Sequence, residues 1–328
     1  MPDSNPSIKA VRMLTWCTAL WALSFPTMKV LTLTQQNLVP GESSWFLAAA
    51  CVVYRFGIAG LLVAGASWRT LGQLTRSEIG QGVGLGLFGG GGILLQMDGL
   101  MYTSASTSAF LTQCYALFIP LWLAVRRWQR PAPSVWISCL LVMVGVAILS
   151  KVNWQTMRMG RGEWETIAAS VLFTGQILWL ERLPYARNNA NHFSMVMFLV
   201  MALVCLPVGC WAVSSVEDWW RAYSHPATWG FLGILVGFST LGGYLLMNRW
   251  QRHVPATQAG LIYCLEPVFA SLLAMVLPAW FSRWSGAAYA NETLTTHLLL
   301  GGGLIIAANV LIQWTASRKE AGARKEIL

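Results

Sequence analysis

The chain has 328 residues, of which 55% are hydrophobic and only 11% are charged. A soluble domain carries about 25% charged residues, so this composition excludes a protein whose whole surface faces water. The net charge of +9 would suit nucleic acid in a soluble protein, but here the basic residues lie in short breaks between apolar runs, so we expect no nucleic-acid partner.

Ten apolar runs approach the length of about 20 residues that a helix needs to cross the hydrocarbon core. They predict an all-α integral membrane protein with ten transmembrane helices. In chain order, we place the spans near residues 11–31, 45–66, 78–99, 105–125, 133–150, 162–182, 192–214, 227–248, 256–278 and 295–315. The short connection at 100–104 predicts that the third and fourth spans form a tight antiparallel pair.

The distribution of Lys and Arg predicts the orientation, because cytoplasmic loops of membrane proteins are enriched in both. With the N-terminus inside, fifteen of the 22 basic residues fall in cytoplasmic segments and five in outer segments. We therefore expect a multi-pass protein of the inner or plasma membrane with both termini cytoplasmic. The connection 151–161 departs from the rule, since Lys151, Arg158 and Arg161 would all lie outside.

A repeated segment divides the chain into two halves. Residues 82–121 and 233–272, which are 151 positions apart, share nine identities in forty ungapped positions, where roughly three would be expected by chance. Residues 1–151 are predicted to form the first repeat, with five helices, and residues 152–328 the second. Because five is odd, the second repeat enters the membrane from the opposite side, which predicts an inverted repeat.

Glycines are concentrated in the third span, at Gly80, Gly82, Gly84, Gly86 and 89–92. Small residues allow helix backbones to approach closely in lipid, and this is the first interpretation. The second is a flexible hinge, because each glycine weakens a helix by about 1 kcal/mol relative to alanine.

Two charged residues are predicted to lie at mid-span, where charge is costly and needs a reason. Glu266 lies in the ninth span directly before Pro267, and Arg55 lies in the second span. Either Arg55 pairs with Glu266 or with helix carbonyls as a structural tie, or Glu266 faces a water-filled cavity and binds a substrate ammonium or a proton.

Lys29 and Asp98 lie near the outer ends of their spans. One interpretation is that they reach the interface or pair with each other. The other is that they form an outer gate. Together with Arg55, Lys29 and Asp98 are the predicted gating or charge-pair residues.

An inverted-repeat carrier holds its substrate near the midplane between the repeats. The predicted cavity-lining residues are polar or amphipathic and lie within spans: Trp21, Gln96, Tyr115, Gln176, Tyr244, Tyr263 and Glu266. For each of them, packing against a neighbouring helix is an equal alternative. Together they predict an aromatic cavity with few charges, which suits a small metabolite with an apolar part better than a phosphorylated one.

The chain shows no pattern that indicates catalysis or a cofactor. Its four histidines are isolated, its seven cysteines are scattered through apolar runs, and we find no phosphate-binding loop and no clustered acidic motif. We therefore expect no catalytic residue, metal or cofactor, and direct ATP-driven pumping by this chain is not predicted.

Four short motifs carry a resemblance to a known family: Trp21 to Phe25 followed by Lys29, the pair Arg55-Phe56, residues 103–111, and Leu265 to Ala270. In this order and spacing the chain resembles the drug/metabolite transporter superfamily, and within it the ten-helix EamA-type permeases. It departs from their pattern at Ala116, where a proline is usual. The resemblance implies export or exchange of small metabolites, commonly amino acids or related amphipathic compounds, by alternating access.

The sequence thus predicts a secondary transporter of small organic metabolites. Its expected partners are the lipid bilayer and a small-molecule substrate, and it is expected to be a monomer or a weak homo-oligomer. A proton-coupled antiporter for toxic compounds is the first alternative. A membrane enzyme such as a lipid or polyprenyl transferase is the distant one, because it would need a clustered acidic or histidine motif.

Overall fold

The computed structural model describes residues 6–103, 105–127, 131–150 and 159–327. Within these ranges the chain is helical and contains no strand. The first half holds α1 (Pro6–Ala22), α2 (Ser24–Leu38), α3 (Ser44–Ala66), α4 (Arg76–Gly99), α5 (Ala105–Thr112), α6 (Tyr115–Arg127) and α7 (Pro133–Leu149). Lys151, Arg158 and the predicted boundary at 151–152 lie outside the described residues.

The second half begins with an unbroken helix and contains additional short elements. It holds α8 (Arg161–Leu180), α9 (Ala190–Ala212), the short α10 (Asp218–Arg221), α11 (Pro226–Ile234), a π-helix (Leu235–Tyr244), α12 (Leu245–Trp250), α13 (Ala256–Tyr263), α14 (Glu266–Ala274), α15 (Leu277–Ser285) and α16 (Thr296–Ile327). Short 3₁₀ turns occur at Trp68–Gln73, Leu183–Tyr185 and Gln251–His253.

Among the described residues, five helical segments are long and apolar enough to cross a membrane: Ser44–Ala66, Ala190–Ala212, Pro226–His253, Ala256–Ala274 and Thr296–Thr315. Phe110–Arg126 and Pro133–Leu149 are shorter apolar helices. The first span is divided between α1 and α2, while α4 and α8 span 24 and 20 residues with many glycines or polar residues. The predicted ten-span all-helical membrane fold is confirmed.

Three spans that were predicted as continuous helices are broken near their centres. Pro26 and Pro267 have no N–H for the carbonyls of Ala22 and Tyr263, one turn earlier, and the helices end there. Glu266 is therefore the first residue of α14 rather than a mid-helix residue. The fourth span breaks at 113–114 without a proline, through turns that bond each N–H to the carbonyl three residues earlier.

The breaks in the fourth and ninth spans are equivalent by the repeat. Residues 113–114 and 264–265 are 151 positions apart, which is the offset of the two halves. Because backbone groups freed at a break need a partner, such interruptions are tolerated at membrane depth where they face protein or a cavity. The eighth span departs differently from the predicted regular helix, since Leu235–Tyr244 is wound as a π-helix.

The two halves interleave. α1 packs against the eighth and ninth spans, and α8 packs in the same way against the third and fourth. The equivalent helices α3 and α9 pack along each other, as do α7 and α16. The packing thus has the pseudo-two-fold symmetry of an inverted repeat. The predicted tight pair of third and fourth spans is not formed, since α4 packs mainly on α8 and α9.

Close packing, against a backbone in one case and an aromatic ring in the other, explains two of the glycines best. A Cβ on Gly301 would lie 2.4 Å from the carbonyl oxygen of Gly145 in α7, so these helices touch through their backbones. A Cβ on Gly84 would lie 2.2 Å from the Trp179 ring. Contacts this short favour the packing interpretation over the hinge at these positions.

Candidate functional site

A cavity of about 80 Å³, measured as the volume open to the centres of water molecules, lies between the interleaved halves. Its walls come from the first, second, third, fourth, sixth, eighth and ninth spans. It is lined by Trp21, Ser24, Phe25, Met28, Arg55, Ile93, Gln96, Thr112, Tyr115, Phe173, Gln176, Ile177, Tyr244, Met247, Tyr263 and Glu266. All seven residues predicted to line a cavity are brought together here, and Arg55 joins them; their role in binding stays a prediction.

The lining follows the internal repeat. Five pairs of lining residues are separated by 151 positions: Phe25 and Gln176, Ile93 and Tyr244, Gln96 and Met247, Thr112 and Tyr263, and Tyr115 and Glu266. The pseudo-two-fold axis therefore passes through the cavity. Four of the five second-half residues are either more polar than their first-half partner or add an aromatic ring to what it offers; Met247 is the exception. The two halves therefore contribute equivalent positions to the cavity but different side chains.

Three aromatic rings form one wall of the cavity. The Trp21 ring centroid lies 5.1 Å from those of both Tyr244 and Tyr263, with tilted planes. Trp21 can approach this closely because it packs on Gly243, where a Cβ would lie 2.5 Å from the indole ring. Its Nε1 is buried and donates to no described residue. The wall thus presents aromatic faces and an unused N–H donor.

Glu266 faces the cavity from the first turn of α14. A carboxylate is stabilised at a helix N-terminus by the helix dipole. Among the described residues, no side chain or backbone group donates a hydrogen bond to it and no cation lies within 4.0 Å. A partly exposed carboxylate that opens onto a cavity within the membrane and has no protein partner needs water, a proton or a bound cation.

Arg55 is held by neutral partners. Its side chain is 3% exposed, its Nε donates to Thr240 Oγ1 at 2.6 Å, and its Nη1 lies 3.6 Å from Met28 Sδ. Within the described chain it forms no ion pair with Glu266, so the predicted direct tie between these two residues is wrong. Thr240 lies in the π-helix, which therefore positions the guanidinium.

The two predicted amides are partly bonded. Gln96 Nε2 donates to Thr112 Oγ1 at 3.0 Å, and Gln176 Nε2 reaches the Leu85 carbonyl oxygen at 3.5 Å. The Gln176 side chain sits where Gly89 leaves room, since a Cβ on Gly89 would lie 2.4 Å from Nε2. Both amides therefore keep oxygen atoms that can accept hydrogen bonds from a solute.

One end of the cavity is closed by hydrogen bonds between the interleaved units. Gln251, which is fully buried, donates from Nε2 to the Ile177 carbonyl oxygen at 2.8 Å, and its Oε1 accepts from the Tyr263 hydroxyl at 2.9 Å. Nearby, Arg252 Nη1 donates to the Ala186 carbonyl oxygen at 3.1 Å. We call the bonds of Gln251 with Ile177 and Tyr263 the Gln251 closure. It links a cavity-lining ring directly to the closed end.

Lys29 lies toward the opposite end, and it does not pair with Asp98. Its Nζ lies 5.5 Å from the Tyr289 ring centroid. Asp98 is fully buried and instead accepts from Arg161 Nη2 at 2.5 Å and from Ser44 Oγ at 2.6 Å. The predicted pairing of Lys29 with Asp98 is therefore wrong, and the basic Arg161, whose charge departed from the orientation rule, is the partner of Asp98.

Several cavity residues were missed because they are apolar or unremarkable in sequence. The repeat carried the signal: applying the 151-residue offset to Gln176, Tyr244, Gln96 and Tyr263 points to Phe25, Ile93, Met247 and Thr112, and all four line the cavity. Gln251 gave no comparable signal, since it lies in a short turn between two spans.

The described residues contain no group of three or more His, Cys, Asp or Glu side chains that could hold a metal ion. The described lining of the cavity offers hydrogen-bonding groups, aromatic faces, and one basic and one acidic side chain that are not paired with each other.

Comparison with known proteins gives three results. The sequence profile of the EamA-like transporter family matches residues 10–151 and 162–314. An "Uncharacterized transporter" of Haemophilus influenzae is 25% identical over 111 residues, which cover 34% of this chain and 62% of the relative, so less than two thirds of the relative is spanned.

A solved structure described only as "Crystal structure of protein" matches with a TM-score of 0.69 at 18% identity and covers 95% of this chain and 99% of its own, which shows a shared fold. The family and the transporter relative point to a membrane transporter rather than an enzyme. Because the family profile covers both halves almost completely, the chain belongs to the EamA-like transporter family.

Proposed function

We propose that this chain exports a small zwitterionic metabolite, with neutral amino acids as the class, across the inner or plasma membrane by alternating access. One observation carries the proposal: a single cavity on the pseudo-two-fold axis contains Arg55 and Glu266, which carry opposite charges and are not paired with each other. A zwitterion offers a matching partner to each of them.

The carboxylate end of such a solute is assigned to Arg55. Two nitrogens of its guanidinium are held by Thr240 and Met28, whereas Nη2 donates to no described residue. Charge-assisted bonds from a guanidinium to a carboxylate are among the stronger hydrogen bonds. Because Thr240 fixes the guanidinium in place, little further ordering is needed when a carboxylate binds.

The ammonium end is assigned to Glu266 and the aromatic wall of Trp21, Tyr244 and Tyr263. An ammonium is attracted to aromatic faces as well as to a carboxylate, and cation–π contacts contribute about 2 kcal/mol when the site is desolvated. Since one water needs at least about 10–15 Å³ of such volume, a cavity of about 80 Å³ suits a small solute with one apolar side chain.

The closed and open ends support alternating access. Equivalent residues line the cavity from both halves. The helices of one half can therefore close one end of the cavity, and the equivalent helices of the other half the opposite end. In this structure the Gln251 closure seals one end, while further cavities around Lys29 occupy the other. We propose that rocking about the axis breaks the closure.

The proposed moving bodies cross the sequence repeats. We retain residues 1–151 and 152–328 as the repeat units, but α1 would move with the eighth and ninth spans and α8 with the third and fourth, as their packing suggests. From the excess of basic residues we place the Gln251 end, and with it both termini, in the cytoplasm. A monomer or weak homo-oligomer suffices, because the whole site lies within one chain.

A second candidate function is proton-coupled antiport of toxic compounds. The unpartnered Glu266 favours it, since a carboxylate that faces a cavity can exchange a proton for a cationic substrate. Uptake driven by a pH gradient, present in the natural chain and absent in Glu266→Gln, would identify this mechanism.

The experiment that tests the proposal is counterflow of labelled L-leucine into proteoliposomes loaded with unlabelled compounds. L-leucine should drive exchange, whereas isoamylamine, which lacks the carboxylate, and isocaproate, which lacks the ammonium, should drive little. Equal exchange by all three would refute zwitterion recognition. If alanine, valine, leucine and phenylalanine all fail to exchange, the amino-acid assignment is wrong.

A further inference from the structure

A second cavity, mainly apolar but with several polar side chains, lies beside the central one, toward the end opposite the Gln251 closure. Its volume on the same measure is about 170 Å³, and Lys29, Ser150, Ser271, Tyr289 and Glu292 contribute its polar side chains. We call it the Lys29 vestibule. An adjoining cavity of about 400 Å³ shares Lys29 with it.

The vestibule contains two charges of opposite sign that are not paired. Lys29 and Glu292 both line it, no ion pair joins them within 4.0 Å, and within the described chain neither side chain has a hydrogen-bond partner. The Lys29 ammonium lies 5.5 Å from the Tyr289 ring centroid. Burial and the nearby charge of Glu292 raise the pKa of Tyr289 to about 12, so this phenol stays neutral.

The vestibule adjoins the central cavity through one side chain. Phe25 lines both cavities, and Lys29 follows it by four residues, one turn farther along α2. On the other side, Met28 lines both the central cavity and the cavity that shares Lys29. Phe25 and Met28 thus lie between two sets of side chains of the same kind. The vestibule has a basic, an aromatic and an acidic side chain in Lys29, Tyr289 and Glu292, and the central cavity has Arg55, the aromatic wall and Glu266.

We propose that the Lys29 vestibule is a second binding site for the same zwitterionic class of solute, with the carboxylate at Lys29 and the ammonium at Glu292. This proposal rests on the proposed function for the class of solute. The site holds the solute after it passes Phe25, or before it does so in exchange, and it is occupied independently of Glu266.

The test measures the acetylation rate of Lys29 in the purified full-length chain by mass spectrometry, with L-leucine as the probe. It uses the Glu266→Gln variant, so that protection cannot arise from the central carboxylate. L-leucine and isocaproate should slow acetylation of Lys29, because both present a carboxylate, and isoamylamine should not. Lys9, at the opposite face beside Trp250, serves as the matched control: the Lys29 rate is divided by the Lys9 rate in each sample, because the amines of L-leucine and isoamylamine also consume the reagent.

Glu292→Gln should weaken protection by half-saturating L-leucine by about two- to fivefold, as expected for the loss of an exposed charge pair, and should leave protection by isocaproate unchanged. Unchanged Lys29 acetylation in L-leucine overturns the vestibule site, even if L-leucine is transported. Equal protection by isoamylamine overturns it too. If L-leucine protects Lys29 but is not transported by the natural chain, the vestibule stands and the proposed function fails.

Discussion

Replacing Gln251 by methionine should open the closed end of the cavity. The side chain is fully buried and makes two hydrogen bonds: its Nε2 donates across the interleaved units to the Ile177 carbonyl at 2.8 Å, and its Oε1 accepts from the Tyr263 hydroxyl, within its own unit, at 2.9 Å. Methionine has similar length and flexibility but can replace neither bond. Once the end opens, water can hydrate the same groups, so the substitution weakens the closed state selectively.

The size of the effect follows from the number of bonds. Each buried hydrogen bond contributes about 0.5–1.5 kcal/mol, and bonds between membrane helices average about 0.6 kcal/mol. Only the bond to Ile177 crosses between the units, so its loss should shift the equilibrium toward the open state by about 0.5–1.5 kcal/mol, or about 2–13-fold. The lower end applies if a water molecule bridges Ile177 and Tyr263 in the variant.

The assay is thiol labelling of a Met247→Cys reporter, because Met247 lines the cavity and is 1% exposed in the closed state. A membrane-impermeant maleimide is applied from the side of Gln251, and labelling of the same protein without the reporter is subtracted. Gln258→Met is the matched control, since Gln258 is also buried but bonds Gln313 in the tenth span and takes no part in the Gln251 closure. Equal labelling in the Gln251→Met and control variants would refute the reasoning.

Three further outcomes are expected. Glu266→Gln should reduce L-leucine counterflow at least about 30-fold, because removal of a buried charge partner costs about 2–5 kcal/mol, and unchanged counterflow would exclude an ammonium contact. Gly301→Ala should lower the free energy of unfolding by about 1–3 kcal/mol in thermal denaturation, because its Cβ would meet the backbone of α7. Gly303→Ala is the control and should not lower it, since no atom lies within 4 Å of the added Cβ. Equal effects of the two substitutions would contradict the backbone contact. Arg161→Ala removes the ion-pair partner of the fully buried Asp98 and should destabilise the protein by about 1–3 kcal/mol in the same assay; an unchanged free energy of unfolding would show that this pair is not stabilising.

Sequence reasoning worked best where a single residue is costly in its surroundings. A polar or charged side chain within an apolar run needs a cavity or a partner, so Glu266, Gln176 and Tyr263 could be assigned to a common cavity before any contact was known. The same reasoning could not name the partners. Arg55 bonds Thr240, which is 185 residues away, and nothing in either local segment indicates that contact.

The sequence by itself determined the membrane class, the ten spans and the inverted arrangement of the halves, because these follow from apolar run lengths, an odd number of helices per repeat and the 151-residue offset. Only the tertiary structure decided that Asp98 pairs with Arg161, that Gln251 closes one end and that helices break at 113–114 and 264–265. The physical reason is that run length and hydropathy report the depth of a residue in the bilayer, whereas hydrogen bonds and ion pairs depend on which helices become neighbours. Here the first span of each half packs within the other half, and that exchange brings Arg161 to Asp98 and Ile177 to Gln251.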